Sequence, residues 1–482
     1  MTDILIFIAA VVLVGQAIIG LAFFISCIWE REARATVFAG IQFLGMAALA
    51  GLFFFIRGAG FFESTPGLAL LIAGLISGIF ITVLLMRKSG TNPKALEGTK
   101  GMIAGDVKRF DEREQVFARN RTMRPGSEQY SIFYKEHPEY EEFDRQRREK
   151  GGVNGRPGSI DKPYGQPNIA AAGAGREMCR QLSTPAMVKP QALPIFQGKK
   201  VEMSLEEASE RIKGFTRNLG ADMVGITAIN PLWLYSQRGE IFHENWEDWG
   251  KEIVNTHKYA IVFGTEMSFS VISAAPHTPT SIESSTQYAK GAFIATSLAR
   301  YVANLGYSAT ANHLRYYDAL MVPLAVDAGL GELGRHGYMI TKKLGPRLRL
   351  GAVTTDLPLI PDGPVDIGVE DFCRICKKCA VCCPSHSIPE GDHAMHNGTR
   401  RWKLNAETCF DYWGKVGTGC NICMRVCPWS HARTFPHKLI VEWVSRNHLA
   451  RRIFNLMDDI FYGRKPKARS GPRWAKYDGP WE

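Results

Sequence analysis

The chain has 482 residues, 45% of them hydrophobic, and a formal net charge of +11. That length can bury one sizeable core and still leave room for smaller modules. Eight of its eleven cysteines fall into one clustered pattern suited to a reducing compartment, which excludes a disulfide framework.

The front end is apolar. Ile4 to Ile28, Val37 to Ile56 and Gly67 to Met86 each run without Lys, Arg, Asp or Glu, and about 20 apolar residues carry a helix across the hydrocarbon core. Three such runs in succession, separated by short charged or Gly/Pro loops, predict membrane spans rather than buried soluble helices. The first run is too long for a cleaved signal peptide and follows Asp3 rather than basic residues. No twin-arginine segment precedes it, so export of a preassembled cluster protein has no visible address. Arg31 and Arg34 share a side with Arg87, Lys88 and Lys94, while the opposite side offers mainly Arg57. Loop charge therefore predicts a multi-pass protein of the cell membrane with its large domain facing the cytoplasm. The positive balance then fits an anionic leaflet, and no nucleic-acid partner is expected.

From Ser89 to about Lys200 the sequence is polar and rich in Gly, Pro and charge, which predicts an extended, partly helical segment with a linker-like stretch at Gly151 to Pro167. Ser204 and Glu207 form a capping box for a helix to about Leu219, closed by Gly220. Short β-rich runs follow at Met223 to Thr227, Tyr259 to Gly264 and Leu350 to Thr355, with a long helix predicted from Ser285 to Leu305 and ended by Gly306. This βαβ-like rhythm predicts an α/β layer with helices on the sheet. The expected divisions are a three-span anchor (1–88), an extended segment (89–200), an α/β core (201–365), a cysteine module (366–435) and a basic tail (436–482). Arg464, Lys465, Lys467, Arg469 and Arg473 make that tail a candidate membrane-surface arm.

The cysteine module carries the chemistry. Cys373, Cys376, Cys379 and Cys383, followed by Pro384, have the C-x2-C-x2-C-x3-C-P spacing of two-cluster ferredoxins, whose fourth cysteine ligates the other cluster. A second run reads Cys420, Cys423, Cys427, Pro428, and its missing ligand is most economically Cys409. Crossing the fourth cysteines assigns Cys373, Cys376, Cys379 and Cys427 to one [4Fe-4S] cluster, and Cys383, Cys409, Cys420 and Cys423 to a second. A four-cysteine zinc site also uses C-x2-C pairs, but does not need a clustered run twice over, each ending in Cys-Pro. Cys382 lies off the register and reads as a non-ligand, with a slipped register the alternative. Cys27 and Cys179 have no partner pattern.

Two further stretches point to a family. Ala328 to Arg335 reads AGLGELGR and is followed by Gly345-Pro346-Arg347-Leu348-Arg349 and Thr355-Asp356-Leu357-Pro358. Later come Arg401-Trp402-Lys403, Cys409-Phe410-Asp411-Tyr412-Trp413, a GTGC ending at Cys420, and Val426-Cys427-Pro428-Trp429. In that order, roughly from Val107 to Trp429, the chain resembles the catalytic subunits of corrinoid-dependent reductive dehalogenases. The resemblance implies a nitroreductase-like α/β core holding cobalamin, two [4Fe-4S] clusters in a ferredoxin-like module, and removal of halogen from a small organohalide. No Asp-x-His-x-x-Gly segment is present, in keeping with the family's base-off cobalamin without a protein ligand to cobalt. Three fused spans and the missing export signal depart from respiratory members, which leaves the membrane electron donor, a quinol or a reductase, open.

A reductive site needs sequential electrons, a centre that holds two of them, and a proton donor. By resemblance Tyr288 matches the family's donor tyrosine, and an unperturbed phenol is protonated at neutral pH. Arg347 and Arg349 are candidates to stabilise the phenolate, with Arg349 preferred. The family's Asn-Asp dipeptide is replaced by Tyr316 and Tyr317, so Asn312, His313 or Tyr316 remains open as polar helper. Trp233, Phe242, Trp246, Trp249 and Trp402 are either pocket walls or core. His431 and His437 read as solvated or hydrogen-bonded rather than metal-bound. Two rival readings differ in class: an epoxyqueuosine-reductase-like enzyme, which lacks spans and acts on tRNA, and a membrane iron-sulfur electron carrier, in which AGLGELGR and GPRLR have no purpose.

Overall fold

The computed structural model describes residues 2–151, 153, 165–192, 199–242 and 246–475. Most of the linker-like stretch from Gly151 to Pro167, and the tail beyond 475, lie outside these. The chain divides into two compact units. One comprises Met1–Thr91, Ile367–Cys376 and His431–Lys467, and the other Asn92–Asp366, Lys377–Ser430 and Ala468–Glu482.

Three helices of the first unit, Thr2–Trp29, Ala33–Gly58 and Thr65–Met86, are long and apolar enough to cross a membrane. Each extends the predicted run by a few residues at one end or both, because capping groups rather than hydropathy set the ends. Ser64 Oγ accepts from Gly67 N at 3.2 Å, with Pro66 in the first turn of the third helix. Phe7, Leu44, Phe55 and Ile79 point outward, as lipid-facing side chains do. Between the first two helices a Cβ on Gly20 would meet Met46 Sδ at 3.1 Å, and one on Gly40 would meet the Phe24 ring at 3.2 Å. Small residues at these crossings let the backbones approach.

The first part of the basic tail folds as helices Phe435–Arg446 and His448–Tyr462 within this unit. Phe461 and Tyr462 pack on Cys27, Ala35 and Ala39, and burial of a side chain that size contributes roughly 1.5–3 kcal/mol. Asn447 joins the two helices: its Oδ1 accepts from Ala450 N at 2.9 Å, while Nδ2 donates to the carbonyls of Leu84 (2.6 Å) and Arg87 (2.7 Å). The last carbonyls of the third span are thereby satisfied.

The second unit is built on strands β1 (Met223–Ala228), β2 (Tyr259–Glu266), β3 (Ala309–Asn312) and the pairs β4 (Glu332–Leu333) with β5 (Met339–Ile340), then β6 (Leu348–Thr355). The main sheet has the order β1-β2-β6-β3. Every pairing in it is antiparallel, whereas a plain βαβ rhythm would have paired parallel strands. The rhythm survives in another form: β2 and β3 run the same way on either side of β6, and the Pro279–Asn304 helix makes the crossover between them. Alternation along β2 covers both faces. Ile261 and Phe263 meet Ile294, Leu298 and Ile212 on one side, while Ala260 and Val262 meet Leu324 and Val326 on the other. Ser204 caps the helix as predicted, its Oγ accepting from Glu207 N at 3.1 Å, while the Glu207 carboxylate accepts from Arg211. The long helix starts six residues ahead of Ser285, where Pro279 occupies its first turn.

Residues 92–192 are more helical than expected. Helix Glu141–Glu149 carries Asp144 and Arg147 inward, where Asp144 receives Arg119 Nε at 2.8 Å and Arg147 Nη2 at 2.9 Å. Arg119 also reaches Glu407 at 2.6 Å, so this buried ion cluster anchors the segment to the helix that carries Cys409.

Candidate active site

Four of the predicted ligands converge inside the second unit. Cys383 follows the short helix Lys378–Val381, Cys409 lies on helix Ala406–Val416, and Cys420 and Cys423 flank the start of helix Ile422–Arg425. The Asn405 side chain caps the Cys409 helix, accepting from Glu407 N at 3.1 Å and Thr408 N at 3.3 Å. Cys420 and Asn421 both adopt left-handed backbone (φ 57° and 64°), an uncommon conformation for non-glycine residues that curls this loop around its sulfurs. Cys379, Cys383, Cys420 and Cys423 share an apolar shell with Ala380, Ile388, Ile422 and Val426. Burial pushes the Cys409 thiol up to about 11 and Cys420 to about 12, and in each case the neighbouring thiols add to the rise. Cys423 rises well above the ordinary range, from burial first and then from Cys420, Cys409, Cys379 and Cys383. Thiols crowded this way ionise together only around a cation, and bound iron reverses the local balance. Ser387 N donates to Cys383 Sγ at 3.3 Å, the kind of contact that tunes a cluster.

The other set divides between the units. Cys373 and Cys376 lie one turn apart on helix Val369–Cys376 in the first unit, both buried. Cys379 and Cys427 are buried in the second. Cys382 is half-buried beside the Cys383 shell.

Beside the four thiols stands Tyr288, on the Pro279–Asn304 helix. Arg349 of β6 places its Cζ 4.9 Å from the Tyr288 ring centroid and donates from Nη2 to Ser284 Oγ at 2.8 Å. Asn421 Nδ2, from the cysteine loop, reaches the same Ser284 hydroxyl at 3.4 Å. Ser281, Ser284 and Tyr288 are spaced three and four residues apart, so they share one helix face.

Arg347 has other work. Its Nε donates to Ser430 O at 2.8 Å, and Nη1 reaches Met267 O at 2.5 Å and Glu266 Oε1 at 3.1 Å. Arg347, just before β6, and Arg349, on it, lie two residues apart and could not be separated by spacing. Asn312 is likewise used in the fold, donating to Thr310 O at 3.1 Å and accepting from Asp318 N at 2.7 Å. The Tyr316 ring lies under Arg238, 4.7 Å from its Cζ, and His313 is buried and held neutral by burial.

Sequence reasoning names Tyr317 only as a replacement in the family's Asn-Asp dipeptide and does not single out Tyr338. Burial drives both phenols well above their ordinary range, and Tyr288 and Arg349 act on each; the Cys423 and Cys409 thiols also act on Tyr338. Both nevertheless keep accessible surface. On the Tyr288 helix and on β6, Ser281 Oγ, Gln287 Oε1 and Arg349 Nε are buried without a protein partner among the described residues, and such groups call for a polar occupant. The signal for Tyr338 lay in its position just after AGLGELGR, whose glycines are explained by close backbone approach. A Cβ on Gly331 would strike the Ile340 carbonyl, and one on Gly345 of GPRLR would strike that of Trp429.

Most of the aromatic residues weighed as pocket walls or core have partners in the fold. Trp233 Nε1 donates to Thr99 Oγ1 at 2.9 Å and Trp402 Nε1 to Gly391 O at 2.9 Å. Trp249 lies under Arg113 and Phe242 under Arg315, while Trp246 opens a single 3-10 turn.

No protein-family model matches the chain. Over 320 residues, 58% of this chain, it is 34% identical to a tetrachloroethene reductive dehalogenase of Desulfitobacterium hafniense, covering 55% of that protein. It is 31% identical over 291 residues to the tetrachloroethene reductive dehalogenase of Sulfurospirillum multivorans, covering 54% of this chain and 58% of that protein. A catabolic reductive dehalogenase solved in complex with 3-bromo-4-hydroxybenzoic acid superposes with a TM-score of 0.59 at 25% identity, over 77% of this chain and 50% of that one. The chain thus spans about half the length of the relatives it matches, and it shares the reductive dehalogenase fold.

Proposed function

We propose that this chain is a membrane-anchored reductive dehalogenase that removes halogen from a small organohalide. The observation that carries the reading is Arg349 lying over Tyr288 with Ser284 shared between Arg349 and Asn421 of the cysteine loop, where four predicted ligands converge. Similarity to two tetrachloroethene reductive dehalogenases supports it, as does the fold shared with an enzyme solved with a halogenated aromatic acid.

Cys383, Cys409, Cys420 and Cys423 would hold one [4Fe-4S] cluster, and Cys373, Cys376, Cys379 and Cys427 a second. A nitroreductase-like core would hold base-off cobalamin, with Ser281, Gln287, Tyr317 and Tyr338 against its polar fringe. When bound, the corrinoid supplies the two-electron reducing centre and the clusters feed it single electrons. Tyr288 keeps a proton on its hydroxyl and delivers it to the carbon that loses halogen. Arg349, over the ring face, stabilises the phenolate that remains, and the enclosing tyrosines keep water from competing for the carbanion. Loop charge favours a cytoplasmic catalytic unit, with the electrons coming from a membrane quinol or a reductase.

Anaerobic reconstitution with iron and cobalamin, followed by halide assay on aryl and alkyl halides with reduced viologen, tests the reading. Halide release that falls sharply in Tyr288→Phe is expected. Protein that binds iron and corrinoid yet releases no halide from any substrate in the panel overturns it.

A further inference from the structure

The mechanism leaves one cluster of ligating side chains unused. Glu30, at the end of the first membrane helix, meets His431 and His437 from a segment some four hundred residues later, all within the first unit. One ligating atom from each lies within 4.8 Å of the others. The Glu30 carboxylate is fully enclosed, with His437 Nδ1 3.3 Å from Oε1 and His431 Nδ1 4.0 Å from Oε2.

We propose that Glu30, His431 and His437 form a mononuclear site for a divalent first-row transition metal. The ligand set is two imidazoles and one carboxylate, which suits zinc and its neighbours. Orientation of the rings supports the assignment. His431 turns its Nε2 to Asp458 Oδ1 at 2.7 Å, and His437 turns its Nε2 to the Tyr462 hydroxyl at 2.9 Å. Each ring therefore has its outer nitrogen held while the Nδ1 edge faces Glu30, the arrangement by which outer partners aim metal-bound histidines. Three hydroxyls stand among the other neighbours, with the Cys27 thiol near Glu30 and the Phe23 ring beside His437. Ser26 donates to Glu30 Oε1 at 3.0 Å, Tyr462 lies 3.5 Å from Oε2, and Thr434 Oγ1 lies 2.7 Å from His437 Nδ1. Thr434 has an alternative partner in Ser26 Oγ at 2.8 Å, so it can yield its place at Nδ1 or join as a fourth ligand. A metal here pins the segment after the cysteine module to the end of the first span. Two carboxylates, Glu30 and Asp458, offset its charge.

The test uses detergent-solubilised protein with its iron and corrinoid in place, so that no vacant cysteine competes for zinc. Zinc is added, excess is removed on a chelating resin, and zinc, iron and cobalt are counted by mass spectrometry alongside a thermal melt. About one retained zinc per chain with a higher melting temperature supports the site. Glu30→Gln, His437→Gln and the half-exposed His431→Asn should each lose the zinc and the thermal shift while iron and cobalt stay unchanged. Wild-type protein that retains no zinc and melts at the same temperature with or without it overturns the proposal. So do folded variants that keep zinc as well as wild type does. Should no variant fold, the wild-type count and melt alone decide.

Discussion

Arg349 lies over the face of Tyr288, Cζ to centroid 4.9 Å, and is held there by its bond to Ser284 rather than by a carboxylate. A guanidinium paired with Asp or Glu would spend its field on that partner. Here no carboxylate is hydrogen-bonded to it among the described residues, although its charge also acts on Glu283, and Arg349→Gln should lower kcat by about 100-fold, the scale of a positioned acid–base group, with a smaller change in KM. Steady-state halide release measures both. An Arg349→Gln enzyme with unaltered kcat would remove the arginine from the chemistry.

Arg347 should behave differently. Its guanidinium is fully buried and holds Ser430 O, Met267 O and Glu266. Arg347→Ala leaves buried acceptors unpaired and should cost about 3 kcal/mol of stability. A lower melting temperature with near-normal turnover in the protein that remains folded is expected.

Cys409 is the ligand placed by economy rather than by its run. Cys409→Ala should cut iron from about eight to about four per chain, whereas Cys382→Ser should leave it unchanged. Iron counting with electron paramagnetic resonance of the reduced protein distinguishes the two. Iron loss in Cys382→Ser instead would establish the slipped register.

His336 predicts an acid limit. Burial holds it down to about 4, from an ordinary 6.5, and its Nδ1 accepts from Tyr338 N at 3.2 Å, which requires the neutral ring. The unfolded chain binds the proton first, so this stability is fully present above pH 6.5 and is lost as pH falls toward 4. At 1.36 kcal/mol per tenfold change in proton affinity, the loss is about 3 kcal/mol. Denaturant midpoints between pH 7 and 4.5 should fall, and His336→Asn should flatten the slope.

The ion cluster of Arg119, Arg147, Asp144 and Glu407 offers a structural control. Asp144→Asn removes one of the two carboxylates shared by two buried guanidinium groups, leaving only Glu407, and should destabilise by about 3 kcal/mol. Its readout is thermal unfolding, with the cysteine helix loosened because Glu407 shares the network.

Much of this protein could be read along the chain because the relevant physics is local. Apolar runs without charge mark the spans, Ser204 and Gly220 bound a helix, and cysteine spacing names candidate ligands. Tertiary structure alone could decide the rest, since those choices depend on which residues from distant segments meet. Arg347 and Arg349 are indistinguishable by spacing, yet one faces backbone carbonyls and the other a phenol. The antiparallel register about β6 places β2 and β3 on either side of a strand that follows them, which no local pattern announces. Tyr317 and Tyr338 come near Tyr288 and Arg349 only once β6, the long helix and the cysteine loop are assembled. Glu30 and His437 become neighbours through packing between residues some four hundred positions apart, where composition carries no signal.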